Sequence, residues 1–100
     1  MALLQAPIAV GTTDTTILAE GTARTNVLVR LVNKATTGGK TWCIVYYSND
    51  TVSAAGEEVI AVDMDASSDV TKLIPNIEST HNLVAKAEAA TTIVATVYGT

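Results

Sequence analysis

The grouping of the apolar residues limits the folds that this chain can adopt. These residues recur in short runs that are separated by polar or glycine-containing breaks. Within the runs apolar and other side chains alternate, and the stretch Thr-Trp-Cys-Ile-Val-Tyr-Tyr-Ser at 41–48 is the strongest example. Alternation with a period of two places successive side chains on opposite faces of a β-strand. The pattern predicts strands at 15–19, 25–33, 41–48, 58–64, 70–74, 82–87 and 91–98.

Composition favours the same class. Hydrophobic residues make up 48% of the 100 residues, but aromatics only 4% and Phe is absent, so Val, Ile, Leu and Ala supply the apolar surface. Such a mixture, with abundant Thr, is typical of sheets. We predict an all-β, single-domain β-sandwich or small jelly roll of about seven to eight mostly antiparallel strands. Helix is the alternative at 82–90, because Ala, Lys and Glu favour it.

Several local patterns predict how the strands are connected. The loop with Gly38 and Gly39 predicts a hairpin that joins 25–33 to 41–48, and 88–90 predicts a hairpin turn before 91–98. Residues 52–56 are predicted as a loop or a short edge segment. Pro75 cannot donate to a sheet ladder, so the run 70–74 either ends there or lies on a sheet edge.

Three runs also predict which side chains are buried. Val27, Val29 and Leu31 share one face of their strand, whereas Arg30 indicates that the opposite face is partly exposed. In the run 58–64, the face with Ile60, Val62 and Met64 is the better candidate for the core. Cys43 lies in an apolar run and is predicted as a small core residue.

The first residues do not fit the strand pattern. We predict an N-terminal arm at 1–13 that orders only against a partner, followed by the sandwich domain at 14–100. An apolar segment of this kind can lie along a neighbouring chain as an added strand. The predicted partner-binding residues are Leu3, Leu4, Pro7, Ile8 and Val10.

No motif in the chain provides the groups that catalysis needs. His81 is the only histidine and falls in a polar run that predicts a surface loop, away from Cys43. The acidic run 63–69 lacks the glycine and the distal glutamate of an EF-hand, so we predict a solvated loop, with an ion site as the alternative. We therefore expect no enzymatic activity, no cofactor and no metal.

Charge and hydropathy exclude two further classes. The net charge is −4 and the six Lys and Arg residues are scattered, which argues against nucleic-acid binding. No run approaches the roughly 18 apolar residues that a membrane span needs. One cysteine cannot form an intrachain disulfide, and we expect synthesis in the cytoplasm of a host cell.

Four stretches carry a family resemblance. The stretch Asp-Val-Thr-Lys-Leu-Ile-Pro-Asn-Ile at 69–77, the small-residue strand at 82–87 and the Val/Thr-rich ending at 91–100 follow one another in an order that resembles small virion proteins of tailed bacteriophages. The stretch 23–33 is similar to their first long strand. The chain departs from the family at 78–81, where Glu-Ser-Thr-His replaces a Gly-Asp turn.

The resemblance implies a structural protein of the virion. We expect a capsid decoration or cement protein on the capsid surface, bridging major capsid protein subunits as a homo-oligomer, with a trimer favoured. One alternative is a tail, fibre or neck component of the same phage particle. The other is a carbohydrate-binding β-sandwich that uses Trp42 and the tyrosines.

Overall fold

The computed structural model describes residues 2–19, 21–48 and 58–99 of the chain. These residues form eight strands and no helix. The described part of the chain therefore contains no helix that is long and apolar enough to cross a membrane. The predicted all-β class is confirmed. The strands are β1 (Ala2–Ala9), β2 (Thr15–Leu18), β3 (Arg24–Asn33), β4 (Thr41–Ser48), β5 (Glu58–Met64), β6 (Asp69–Ile77), β7 (Asn82–Ala87) and β8 (Ile93–Gly99).

The strands form two antiparallel sheets of four. Sheet A has the order β1-β8-β3-β6 and sheet B the order β2-β7-β4-β5. The sheets pack face to face as a β-sandwich, and side chains from both inner faces fill the space between them. The predicted segment 52–56 lies outside the described residues.

Both predicted hairpins are wrong. β3 belongs to sheet A and β4 to sheet B, so the loop through Gly38 crosses from one layer to the other. The turn after β7 does the same, because β7 lies in sheet B and β8 in sheet A. The physical reason is that two strands that follow one another in the chain can bury their apolar faces in two ways. They can lie side by side in one sheet, or they can face each other from opposite sheets. A loop of about seven residues easily spans the roughly 10 Å between packed sheets.

Alternation decides which side chains enter the core. Val27, Val29 and Leu31 are fully buried on β3, whereas Arg30 is exposed, as predicted. On β5 the predicted face is also the inner one, with Ile60 and Met64 buried. Among the described residues the other members of the core are Val10, Ile17, Leu18, Cys43, Val45, Ile74, Ile77, Leu83, Ala85, Ala87, Ile93, Ala95 and Val97.

Asn33 ties the two layers together at the end of β3. Its side chain is fully buried. Nδ2 donates to the carbonyl oxygen of Met64 on β5, at 3.0 Å, and Oδ1 accepts from the backbone N–H of Ala35, also at 3.0 Å. A buried amide with both ends bonded fixes the relative position of the layers, because any shift leaves a polar group without its partner.

The edge position predicted as one alternative for the proline segment is confirmed. β6 continues through Pro75 to Ile77 and forms the edge of sheet A. There the missing N–H costs no ladder bond with a further strand. Lys72, which lies opposite the buried Val29, adds a charge on this edge that discourages pairing with another sheet.

The N-terminal segment differs most from expectation. Residues predicted as part of an arm at 1–13 form β1, which lies along β8 at the other edge of sheet A. Alternation is broken in β1 because its register shifts on both sides of Gln5. Two bulges in eight residues conceal the period of two from a reading of the sequence.

Candidate docking surface

A row of apolar side chains crosses the outer face of sheet A. The register places Leu3 of β1 opposite Tyr98 of β8, Tyr98 opposite Leu28 of β3, and Leu28 opposite Leu73 of β6. Leu3 and Leu73, at the two ends, are 53% and 55% exposed. Leu28 and Tyr98 between them are half-buried. We name these four residues the apolar row.

Two further outward rows complete this face. Val32 lies opposite Val94, which in turn lies opposite Ala9 of β1. Asp69 of β6 completes this row opposite Val32. Between this row and the apolar row, Arg30 lies opposite Thr96 and Thr71. Together the three rows form what we call the docking surface, which spans all four strands of sheet A.

One ion pair accounts for the charge on this surface. Arg30 donates to Asp69 Oδ2 from Nη2 at 2.6 Å and from Nε at 3.0 Å. The hydrogen bond from Arg30 holds the pKa of Asp69 below its usual range, and the same bond raises the pKa of Arg30, with a smaller contribution from Tyr98. No other charged side chain occupies a paired position in the three rows.

Such a surface is unusual for the solvent side of a sandwich, which normally alternates to polar residues. Four strands and three rows cover about 15 Å by about 14 Å before the width of the side chains is added. The area is a few hundred Å², comparable to the largest apolar patch of a typical monomer, which is often functional. It is below the ~800 Å² per partner of a standard stable complex.

The outer face of sheet B has a different character. Ile44 lies between Lys86 and Ala61, and Trp42 lies opposite Asp63. Tyr46, farther along β4 than Trp42 and Ile44, is only 2% exposed. The Tyr46 hydroxyl donates to Asp14, and the Lys86 ammonium lies 6.0 Å from the Tyr46 ring centroid.

The aromatic residues proposed for carbohydrate binding do not form one platform. Tyr46 is buried, whereas Trp42 is 38% exposed near the start of β4. Tyr47 is half-buried five residues along the same strand, about 17 Å away. Two aromatic rings at that separation cannot stack on one sugar.

The side chains considered for catalysis lie apart. Cys43 is buried in the core, which confirms its predicted position. Burial raises the pKa of the Cys43 thiol to about 11. His81 follows β6 in a loop, where its Nδ1 lies 3.6 Å from Glu78 Oε2 and its ring 5.7 Å from the ring of Tyr47. These three residues, with Pro75 and Asn76, line an open pocket of about 380 Å³.

Only residues 65–68 of the acidic run form a turn, because Asp63 and Met64 lie at the end of β5 and Asp69 begins β6. Ser68 donates from both its backbone N–H and its hydroxyl to the carbonyl oxygen of Asp65. Asp69, at the end of the run, is engaged by Arg30. In the part of the chain that the structure describes, no three His, Cys, Asp or Glu side chains come together in a way that could hold a metal ion.

The five residues predicted to bind a partner are divided between two environments. Leu3 and Pro7 are exposed, and Leu3 joins the apolar row. Val10 is fully buried, and Leu4 and Ile8 pack against the core. The other members of the row, Leu28, Leu73 and Tyr98, were not singled out from the sequence. Alternation on each strand was the available signal, but only the register aligns them.

The fold and this surface define a small β-sandwich with an apolar outer sheet face. A scan against protein-family models, a search of curated proteins and a search of solved structures each returned no match. What the protein does therefore has to be inferred from its surface and from its residue pattern.

Proposed function

We propose that this protein is a non-enzymatic structural module that binds other protein chains through the docking surface. The observation that carries the proposal is the apolar row, which runs without interruption from Leu3 to Leu73 across sheet A. Burying exposed leucine side chains is favourable by about 1.5–3 kcal/mol each when burial is complete. A neutral, apolar face suits a broad protein contact better than it suits a charged ligand.

The resemblance to small virion proteins of tailed bacteriophages supports a particular assembly. We propose a capsid decoration or cement protein on the capsid surface, which bridges and stabilises subunits of the major capsid protein. A docking surface of a few hundred Å² gives a weak contact when it acts alone. A homo-oligomer, with a trimer favoured, would bring several such surfaces to one lattice and add their affinities by multivalency.

The tail, fibre or neck of the same particle remains the second proposal, since a sandwich with an apolar face would serve there equally well. Location separates the two. A decoration protein should be present in many copies on purified heads and absent from purified tails, as measured by quantitative mass spectrometry. Detection on tails alone would replace the first proposal by the second, and absence from both would overturn the virion proposal.

The surface itself is tested by one substitution and its matched control. Leu73→Lys places a charge in the apolar row on an edge strand, where lysine is well tolerated by the fold. Trp42→Lys places the same charge on an exposed apolar residue of sheet B. Binding to particles that lack the protein is measured by co-sedimentation over a range of protein concentrations.

Leu73→Lys should weaken binding about tenfold, because burying the exposed 55% of this leucine contributes roughly 0.8–1.7 kcal/mol and tenfold corresponds to about 1.4 kcal/mol. Trp42→Lys should bind like the wild type. Equal binding by Leu73→Lys and the wild type would reject this surface. Loss of binding only in Trp42→Lys would transfer the function to sheet B. A Trp42 fluorescence response to a glycan panel would instead favour the carbohydrate alternative.

A further inference from the structure

β1 pairs irregularly with β8 at the edge of sheet A. Its eight residues lie opposite only the six residues 94–99 of β8, so the register shifts on both sides of Gln5. Extra residues in a bulge lack a partner in the ladder, and Pro7 has no N–H to donate. None of the eight residues is buried. The side-chain hydrogen bond of Gln5 goes to Ala6 within the strand itself.

A specific contact nevertheless defines where β1 belongs. Leu4 lies over Gly99, so close that a Cβ built on the glycine would be 2.5 Å from Leu4 Cδ1. Val27 Cγ2 lies 3.7 Å from the same point. The absence of a side chain at Gly99 therefore creates the space that Leu4 fills. Ile8 makes a second contact with the core farther along the strand.

The site that β1 occupies would be costly to leave empty. Ala95 and Val97 on β8 are fully buried, and without β1 their strand would become an apolar edge with unpaired backbone groups. A strand that fits this site must supply a leucine for Gly99 and an apolar residue in place of Ile8. The β1 strand of a second copy meets both requirements because it has the same sequence, with Leu4 and Ile8 at the same positions.

The connection that follows β1 is bonded to the body of the sandwich independently of β1. β1 and β2 belong to different sheets, and the connection between them begins at Val10, which is fully buried. The Val10 N–H donates to Ile93 at 2.8 Å, and the Gly11 carbonyl oxygen accepts from Ala87 at 2.9 Å. These bonds anchor the connection to the body, so rotation of the strand would take place at the exposed Ala9.

We propose that β1 is an exchangeable strand and that it pairs with β8 of a second copy of this chain. In a closed ring every copy gives one strand and receives one, so every site is filled and each ladder is retained. The apolar row of each copy would then contain Leu3 of its neighbour. This inference rests on one part of the proposed function, the homo-oligomer, and is independent of the target of the docking surface.

Two disulfide variants test the exchange. Leu3→Cys combined with Tyr98→Cys joins residues that are opposite one another on β1 and β8, and oxidation of the dilute monomer therefore fixes β1 to its own chain. Leu28→Cys combined with Leu73→Cys joins opposite residues of β3 and β6 and leaves β1 free. Each pair removes two members of the apolar row, so any contact through that row is altered similarly. Cys43 is buried and should not take part in the oxidation.

The measurement uses full-length protein in isotopically labelled and unlabelled forms, mixed at high concentration and followed by native mass spectrometry. Mixed oligomers should form in the wild type and in the oxidised β3–β6 variant. The oxidised β1–β8 variant should stay unmixed, and adding a reductant should restore mixing. Circular dichroism before and after reduction verifies that both variants are folded.

Two results would overturn the proposal. One is the absence of mixed oligomers in the wild type up to its solubility limit. The other is equal mixing by the two oxidised variants, which would assign the contact to a surface other than β1. Neither result bears on whether Leu73→Lys weakens binding to particles, so the exchange and the docking surface can fail separately.

Discussion

Asn33 offers the sharpest test of what holds the two layers together. Asn33→Ala removes both side-chain hydrogen bonds, to the Met64 carbonyl oxygen and from the Ala35 N–H. Losing the hydrogen bond to the part-buried Ala35 N–H costs about 1 kcal/mol, and leaving the buried Met64 carbonyl oxygen without its partner costs about 1–3 kcal/mol. We expect a loss of about 2–4 kcal/mol in the free energy of unfolding. For a domain of this size that lowers the melting temperature by roughly 10–20 °C.

The isosteric change Asn33→Asp separates hydrogen bonding from packing. An ionised carboxylate can still accept from Ala35, but it cannot donate to Met64 and its charge is buried. Burial should raise the pKa of the introduced carboxyl above its unfolded value of about 3.9. Because the folded pKa is the higher one, the destabilisation relative to the wild type is smallest below about pH 4 and grows as the pH rises through the folded pKa.

Urea unfolding followed by circular dichroism measures both variants against the wild type at matched pH. Asn76→Ala is the control, since this exposed asparagine on β6 accepts a hydrogen bond from Tyr47 through its backbone carbonyl and not through its side chain. The control should stay within about 0.5 kcal/mol of the wild type. If Asn33→Ala behaves like Asn76→Ala, the buried amide does not hold the sheets together.

Two further predictions concern the edge strand and the ion pair. Gly99→Ala should lower the free energy of unfolding, measured in urea, by about 1 kcal/mol because the added methyl group displaces Leu4. Much of that loss should vanish when Leu4→Ala is already present. Additive effects of the two substitutions would show that the two residues are not in contact. Carboxyl NMR should show Asp69 titrating below the usual range of aspartate, and Arg30→Ala should return its pKa upward. Since the folded pKa of Asp69 is the lowered one, any stability it contributes is present above its unfolded pKa and is lost as the pH falls through the folded value. An unchanged Asp69 titration in Arg30→Ala would assign the shift to another cause.

The docking surface shows where the limit of sequence interpretation lies. Arg30 was correctly placed on an outer, partly exposed face, because this follows from alternation within one strand, and Leu28 lies on the same face. Nothing in the sequence aligned Leu28 with Leu3, Tyr98 or Leu73, which are distant along the chain. Their alignment depends on the register between β1, β8, β3 and β6. The conditions that set this register, core packing and turn geometry, are not local.

The β class, the position of most strands and the inner faces of β3 and β5 could be predicted from the sequence, because a period of two is a local property of the chain. The missing N–H of Pro75 reduced the possibilities to a strand end or a sheet edge. The tertiary structure was needed to show that β3 and β4 occupy different layers, that β7 and β8 do the same, and that the first residues form a strand. Those outcomes depend on which distant faces bury one another, and the same local pattern is compatible with several such pairings.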